Sequence, residues 1–308
     1  MTAARSLEGA DPARRGLRLQ ARLLPDGRRL HLQDGPIDLV VRADGPAEAV
    51  AAAYAAASAR FGTILDELCT ELPLLRRAAR PGERPGGRVA ARMHDAALPL
   101  ASLVFLTPMA AVAGAVADEI LDTMQAAAPL ERVVINNGGD VALALGPGQS
   151  LRLGLVDRPD RPNLFATAIL RAEDGIGGVA TSGWRGRSFS LGVADAVTIL
   201  GVDAAAADAA ATVVANAVDL PDHPAITRVP ANTLQPESDL GTRLVTRGVG
   251  RLAPGEIAEA LERGEAVARD LVARGLMRGA ALHLAGETRI VGAALSELTP
   301  APPDRRAA

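Results

Sequence analysis

Two runs of very small residues constrain this chain more than any other feature. Residues 107–127 carry Ala110, Ala111, Ala113, Gly114, Ala115 and Ala117, and residues 203–218 are mostly Ala and Val. Such side chains bury useful surface only when another backbone comes close, so both runs are expected to be helices pressed against neighbouring elements. Thr107-Pro108 offers an N-cap and a first-turn proline to the first, and Asp203 an N-cap to the second. The two are alike in composition and each follows a strand-like run, which points to two related halves.

Elsewhere the pattern alternates in blocks. Residues 17–24 and 29–33 flank Pro25-Asp26-Gly27, a hairpin signal, and residues 37–42 make a third strand. Pro46 opens an Ala-rich helix reaching about Leu72, with Pro73 just past its end. Residues 76–88 mix Pro, Gly and Arg and read as a loop. A strand is expected from Leu98, then strands over 133–136, 141–145, 151–156, 164–170, 189–191 and 197–200. A polar loop over 221–241, a helix over 254–274 and a hairpin around Gly286 complete the chain. No regular strand–helix period is present, so the expected class is α+β, a mixed or antiparallel sheet packed with Ala-rich helices. The expected organisation is a single domain over 17–295 between disordered segments at 1–16 and 296–308.

A chain of 308 residues with 48% hydrophobic content can bury a sizeable core. Its net charge of -3 gives no basic face for nucleic acid or an anionic membrane. All 33 basic residues are Arg, with no Lys. Schiff-base chemistry and a P-loop lysine are thereby excluded, and a phosphate would be met by Arg, hydroxyls, amides or a metal. Cys69 is the single cysteine and reads as a small core residue; there is neither an intramolecular disulfide nor a thiolate cluster. His31, His94, His223 and His283 are scattered and form no zinc pattern. The stretch 98–117 is broken by Pro99 and Pro108, and no secretory apolar segment follows Met1, so a cytoplasmic protein is expected. The Ala-rich helices would also allow close packing in a homo-oligomer.

Three constellations could carry chemistry. Asp208, Thr212 and Asn216 are four residues apart and share one face of an otherwise apolar helix. They read either as a solvated stripe or as hard oxygen donors suited to Mg2+. Asn136-Asn137-Gly138-Gly139-Asp140 joins two strands; its glycines serve a tight turn or let a ligand approach the backbone. Residues 175–183 hold four glycines and lead into Trp184-Arg185-Gly186-Arg187. There Thr181, Ser182 and neighbouring amides can form an anion nest, the arginines can meet phosphates, and Trp184 can stack on a planar ring.

The order of these motifs resembles the ApbE family, the FAD:protein FMN transferases, and in particular its cytoplasmic, poorly characterised ApbE-like branch. The family's small-residue helix ending in Asp stands here at 114–118. Its Gly-Gly-Asp is Gly138-Gly139-Asp140, and its Ala-Thr-Ser-Gly with an aromatic and Arg is 180–183 with Trp184 and Arg187. Its Val-Thr strand is 196–199, and its Ala-Asp-Ala-x-x-Thr is Ala207-Asp208-Ala209 with Thr212. The resemblance spans about 107–218. It implies Mg2+ at Asp208 and Thr212, and FAD or FMN beside Asn137, Gly138, Gly139, Asp140, Thr181, Ser182, Gly183, Trp184 and Arg187. Asp195 and Asp140 are then the available bases for transfer of FMN to a Thr or Ser of an acceptor protein. Two departures stand out: Ala113 where the family has Lys, and a short 188–195 segment where the transferases carry a longer one with His. The alternative is a non-transferring ligand-binding or assembly protein of sulfur (sulfide) assimilation, a role linked to archaeal members of that branch.

Overall fold

The computed structural model describes residues 18–157, 164–292, 295 and 299–300. The expected disordered segment at 1–16 lies outside the described residues, as does 296–308 apart from Thr299–Pro300, a short strand paired with Thr167 and Ala166.

One sheet of nine strands organises the molecule, in the order β1-β2-β3-β4-β5-β8-β9-β12-β13, and its paired strands are antiparallel. Its strands are β1 (Gln20–Leu23), β2 (Arg29–Asp34), β3 (Ile37–Asp44), β4 (Arg132–Asn137), β5 (Asp140–Leu145), β8 (Gly178–Ser182), β9 (Ala196–Gly201), β12 (Gly279–Leu284) and β13 (Glu287–Val291). Between β3 and its partner β4 run helices α1 (Ala47–Leu75), α2 (Arg88–Ala101) and α3 (Val112–Ala127). Between β9 and its partner β12 run α4 (Ala204–Ala217), the one-turn α5 (Ala231–Leu234), the hairpin β10 (Ile226–Pro230)–β11 (Leu244–Val249) and α6 (Pro254–Ala273). Two strands, a helical excursion and two strands thus occur twice, which is the repeat that the two similar helices suggested.

The helices cover one face of the sheet in a core that includes Leu32, Leu39, Phe61, Ile64, Met93, Ile120, Met124, Ile135 and Ile199. The other face packs on the hairpin β6 (Ser150–Val156)–β7 (Leu164–Arg171) through Val141, Leu143, Val179 and Leu200 against Leu155, Ala166, Ala168 and Leu170. The α+β expectation holds. α4 is the central helix, touching α2, α3, α6, β8 and β9. It packs tightly on α3, where a Cβ added at Gly114 would lie 2.2 Å from the Ala204 carbonyl oxygen. The small residues of both runs permit this approach.

Several local expectations are corrected. Leu98 belongs to α2 rather than to a strand; Glu71 of α1 accepts from the Gly86 and Gly87 amides at the N-terminus of α2 (3.0 and 2.7 Å) and so helps start a helix in what reads as loop. Pro73 lies inside the last turn of α1. Thr107 does not cap with its side chain; a 3-10 turn, Pro108–Ala111, intervenes before α3. Residues 189–191 form no strand, whereas the polar 221–241 stretch holds β10. Cys69 is exposed on α1. Among the described residues, no helix is long and apolar enough to cross a membrane.

Candidate functional site

The first residue of β5, the segment after β8 and one face of α4 meet at a cavity of about 460 Å3, whose lining does not include Asn137, Gly138 or Gly139. Asp140, Arg187, Asp208, Thr212 and Asn216 line it together with Ala113, Phe105, Thr107, Phe189 and residues of the 235–240 segment. The polar face of α4 is therefore turned neither to bulk water nor into the core; Asp208, Thr212 and Asn216 are half-buried while most of the helix is fully buried.

Asp140 follows a two-residue turn in which Gly138 and Gly139 both have positive φ, 65° and 119°, backbone that side-chain-bearing residues rarely adopt. The missing side chain at Gly138 also makes room for Arg187, since a Cβ there would fall 1.4 Å from an Arg187 guanidinium nitrogen. Asn136 Oδ1 accepts from the Gly139 amide (2.9 Å), and buried Asn137 donates from Nδ2 to the Ala113 carbonyl (3.0 Å), tying the turn to α3.

Asp140 accepts from the Thr181 amide at 3.2 Å, and Asp208 accepts from the Gly114 amide at 3.1 Å. Each carboxylate meets solvent partly, through the cavity, and is otherwise surrounded by protein. Burial pushes the Asp140 carboxyl up to about 7 against the pull of the Thr181 amide and the Arg187 charge. Burial, and then the charge of Asp140, raises Asp208 well above the usual carboxylate range, with the Gly114 and Ala113 amides opposing. Two half-buried acids with raised proton affinity face one cavity, with Arg187 the guanidinium beside them.

Other expected site residues stand elsewhere. Thr181 Oγ1 bonds Thr198 Oγ1 (2.9 Å) across β8 and β9, while Ser182, the last residue of β8, and Gly183 after it do not line the cavity. Trp184 donates to Asp195 Oδ1 at 3.2 Å and carries the Arg185 guanidinium 4.2 Å from its ring centroid. Asp195, buried, also accepts from Arg185 Nε (2.5 Å) and the Ala285 amide (2.8 Å). Its two oxygens hold the turn after β8 to the β12–β13 hairpin, outside the cavity lining. Asn216 Oδ1 accepts from Ser190 Oγ (3.1 Å) and the Leu191 amide (2.8 Å), which commits it to that loop.

Sequence reading did not pick out Arg76, Phe105, Met109 or Asp239 as cavity residues. They come from segments far apart in the chain, with no local spacing to signal them. Thr107 and Asp239 are joined by a short hydrogen bond, and Arg76 pairs with Glu237 at 3.4 Å, so the 235–240 segment is fastened across one edge of the cavity.

The family model AbpE_bact, described as AbpE bacteria, matches residues 21–290. The chain belongs to this ApbE-like family. Among curated relatives of this family member, the UPF0280 protein of Methanopyrus kandleri is 35% identical over 181 residues, 58% of this chain and 69% of that protein. Those of Methanospirillum hungatei and Methanothrix thermoacetophila are 35% and 37% identical over 40% and 38% of this chain, which spans about half of each, 49% and 48%. The apo flavinyl transferase ApbE of Pseudomonas stutzeri superposes with a TM-score of 0.39 at 14% identity, over 91% of this chain and 97% of its own.

Proposed function

We propose that the cavity binds a flavin dinucleotide with Mg2+, and that the chain transfers the FMN portion of FAD to a Thr or Ser hydroxyl of an acceptor protein. The observation that carries this reading is the convergence of Asp208 and Thr212 on α4, Asp140 on β5 and Arg187 at one cavity. The order of motifs that resembles the FMN transferases supports it. The donor set suits the ion: burial and the charge of Asp140 raise the proton affinity of Asp208, and a hydroxyl stands one turn from it. Mg2+ favours such a site, with few protein oxygens and room for water and phosphate oxygens.

Asp208 and Thr212 would hold the metal, and Arg187 would meet a phosphate oxygen. When bound, the ion supplies charge that offsets the pyrophosphate. In the transfer, the acceptor oxygen forms a P–O bond to the FMN phosphorus while the P–O bond to AMP breaks, and Asp140 takes the hydroxyl proton. Asp195, whose oxygens are engaged by Trp184, Arg185 and Ala285, positions the loop that carries Arg187.

The test is incubation with FAD, Mg2+ and a candidate acceptor protein, following AMP release and flavin attached to the acceptor. Loss of the metal-holding carboxylate in Asp208→Asn is expected to slow AMP release by roughly 100-fold or more. FAD binding by the wild type without AMP release would refute transfer and leave the non-transferring binding or assembly role.

A further inference from the structure

The wall formed by Arg76, Phe105, Thr107 and residues 235–240 has no part in holding the metal or the phosphate beside Arg187. It contains an unusual stack. Only 2% of the chain is aromatic, with four Phe in all, yet Phe105 and Phe189 both line this cavity. Phe189 follows Arg187 and Ser188 in the chain. Phe105 carries the Arg243 guanidinium 3.3 Å from its ring centroid. Phe105 lines the cavity and Arg243 does not. Cation–π attraction fixes such a ring and draws its π density toward the covered face, leaving the other face better suited to an electron-rich partner.

Gln235, Glu237, Ser238 and Asp239 line the same cavity; Arg76 engages one oxygen of Glu237, and Thr107 one oxygen of Asp239. Carboxylate and amide oxygens accept hydrogen bonds from an amino group, two N–H donors that a purine such as adenine presents and an isoalloxazine ring lacks.

We propose that Phe105, backed by Arg243, is the stacking platform for a purine base, the adenine end of the dinucleotide, with the acidic 235–240 segment reading its amino group. This inference rests on the nucleotide reading of the cavity and adds which end of the ligand lies where.

Binding of FAD, FMN and ADP, each with Mg2+, to the full chain separates the possibilities. In Phe105→Leu, FAD and ADP are expected to weaken by about 10- to 100-fold, the range found when an aromatic is removed from beneath a base, while FMN is unchanged. Phe105→Tyr retains the ring and is expected to keep wild-type affinity for all three, which separates stacking from a general loss of packing. FMN weakening while ADP does not would overturn the proposal by placing the flavin ring on Phe105. Unchanged affinity for all three in Phe105→Leu would overturn it as well. If the wild type binds none of the three, the nucleotide reading itself fails and the platform fails with it.

Discussion

Asp118 is a residue of α3 whose bonding is done on α4. Its two oxygens accept from the Ala204 and Ala205 amides (3.0 and 2.9 Å), the first free N–H groups of that helix, while Asp203 takes the Ala206 amide at 2.7 Å. Burial and the nearby Asp203 charge push the Asp118 carboxyl up to about 7, against the two amides and Arg92. A carboxyl that holds its proton more tightly in the folded chain than in the unfolded one contributes stability at low pH. That contribution is whole below about pH 4 and is lost as pH rises to about 7, an effect of at most about 4 kcal/mol. His283, whose buried ring is shifted downward, acts in the opposite sense, so the comparison must be differential. Subtracting the unfolding free energy of Asp118→Asn from that of the wild type should give a difference that falls between pH 4 and 7 and is flat above. A flat difference throughout would show that Asp118 folds as a carboxylate.

At the scale of elements, the contact of α3 with α4 depends on having nothing where a methyl would be. Gly114→Ala places a Cβ against the Ala204 carbonyl and the Ala205 amide nitrogen, so the helices must part or shift. Overpacking of this kind costs about 1–3 kcal/mol, and the displaced Gly114 amide also loses Asp208. Denaturant unfolding should therefore show a loss in that range, accompanied by weaker Mg2+ binding; wild-type stability would show that the helices slide freely. The composition of both helices was readable because small residues in a helix have few other uses. The same holds for Asp208 and Thr212, whose spacing places them on one face. Misreadings arose where an element owes its form to a distant partner. α2 begins amid Pro and Gly because Glu71 satisfies its first amides, and β10 is polar because it lies in a two-stranded hairpin away from the main sheet. Phe105 and Asp239 reach the cavity through contacts 132 and more residues apart in sequence, as with Thr107 and Asp239, which no local spacing encodes.

For the whole molecule, the cavity lies along the seam of the repeated arrangement. Asp140, Phe105 and Arg76 come from the first set of strands and helices, and Arg187, Asp208, Thr212 and the 235–240 segment from the second. A ligand spanning it touches parts of the chain that unfolding would separate, so binding should stabilise the entire fold. With FAD and Mg2+ at 100 times Kd, the gain expected is about 2.7 kcal/mol, visible as a rise in Tm that Asp208→Asn abolishes. The absence of that rise in the wild type would sink the site assignment. Because the two carboxylates belong to opposite sets, their separation is a gauge of how those sets are docked. With the metal held from one set and the base supplied by the other, the rate of transfer would report the alignment of the two halves to an observer who measured nothing else.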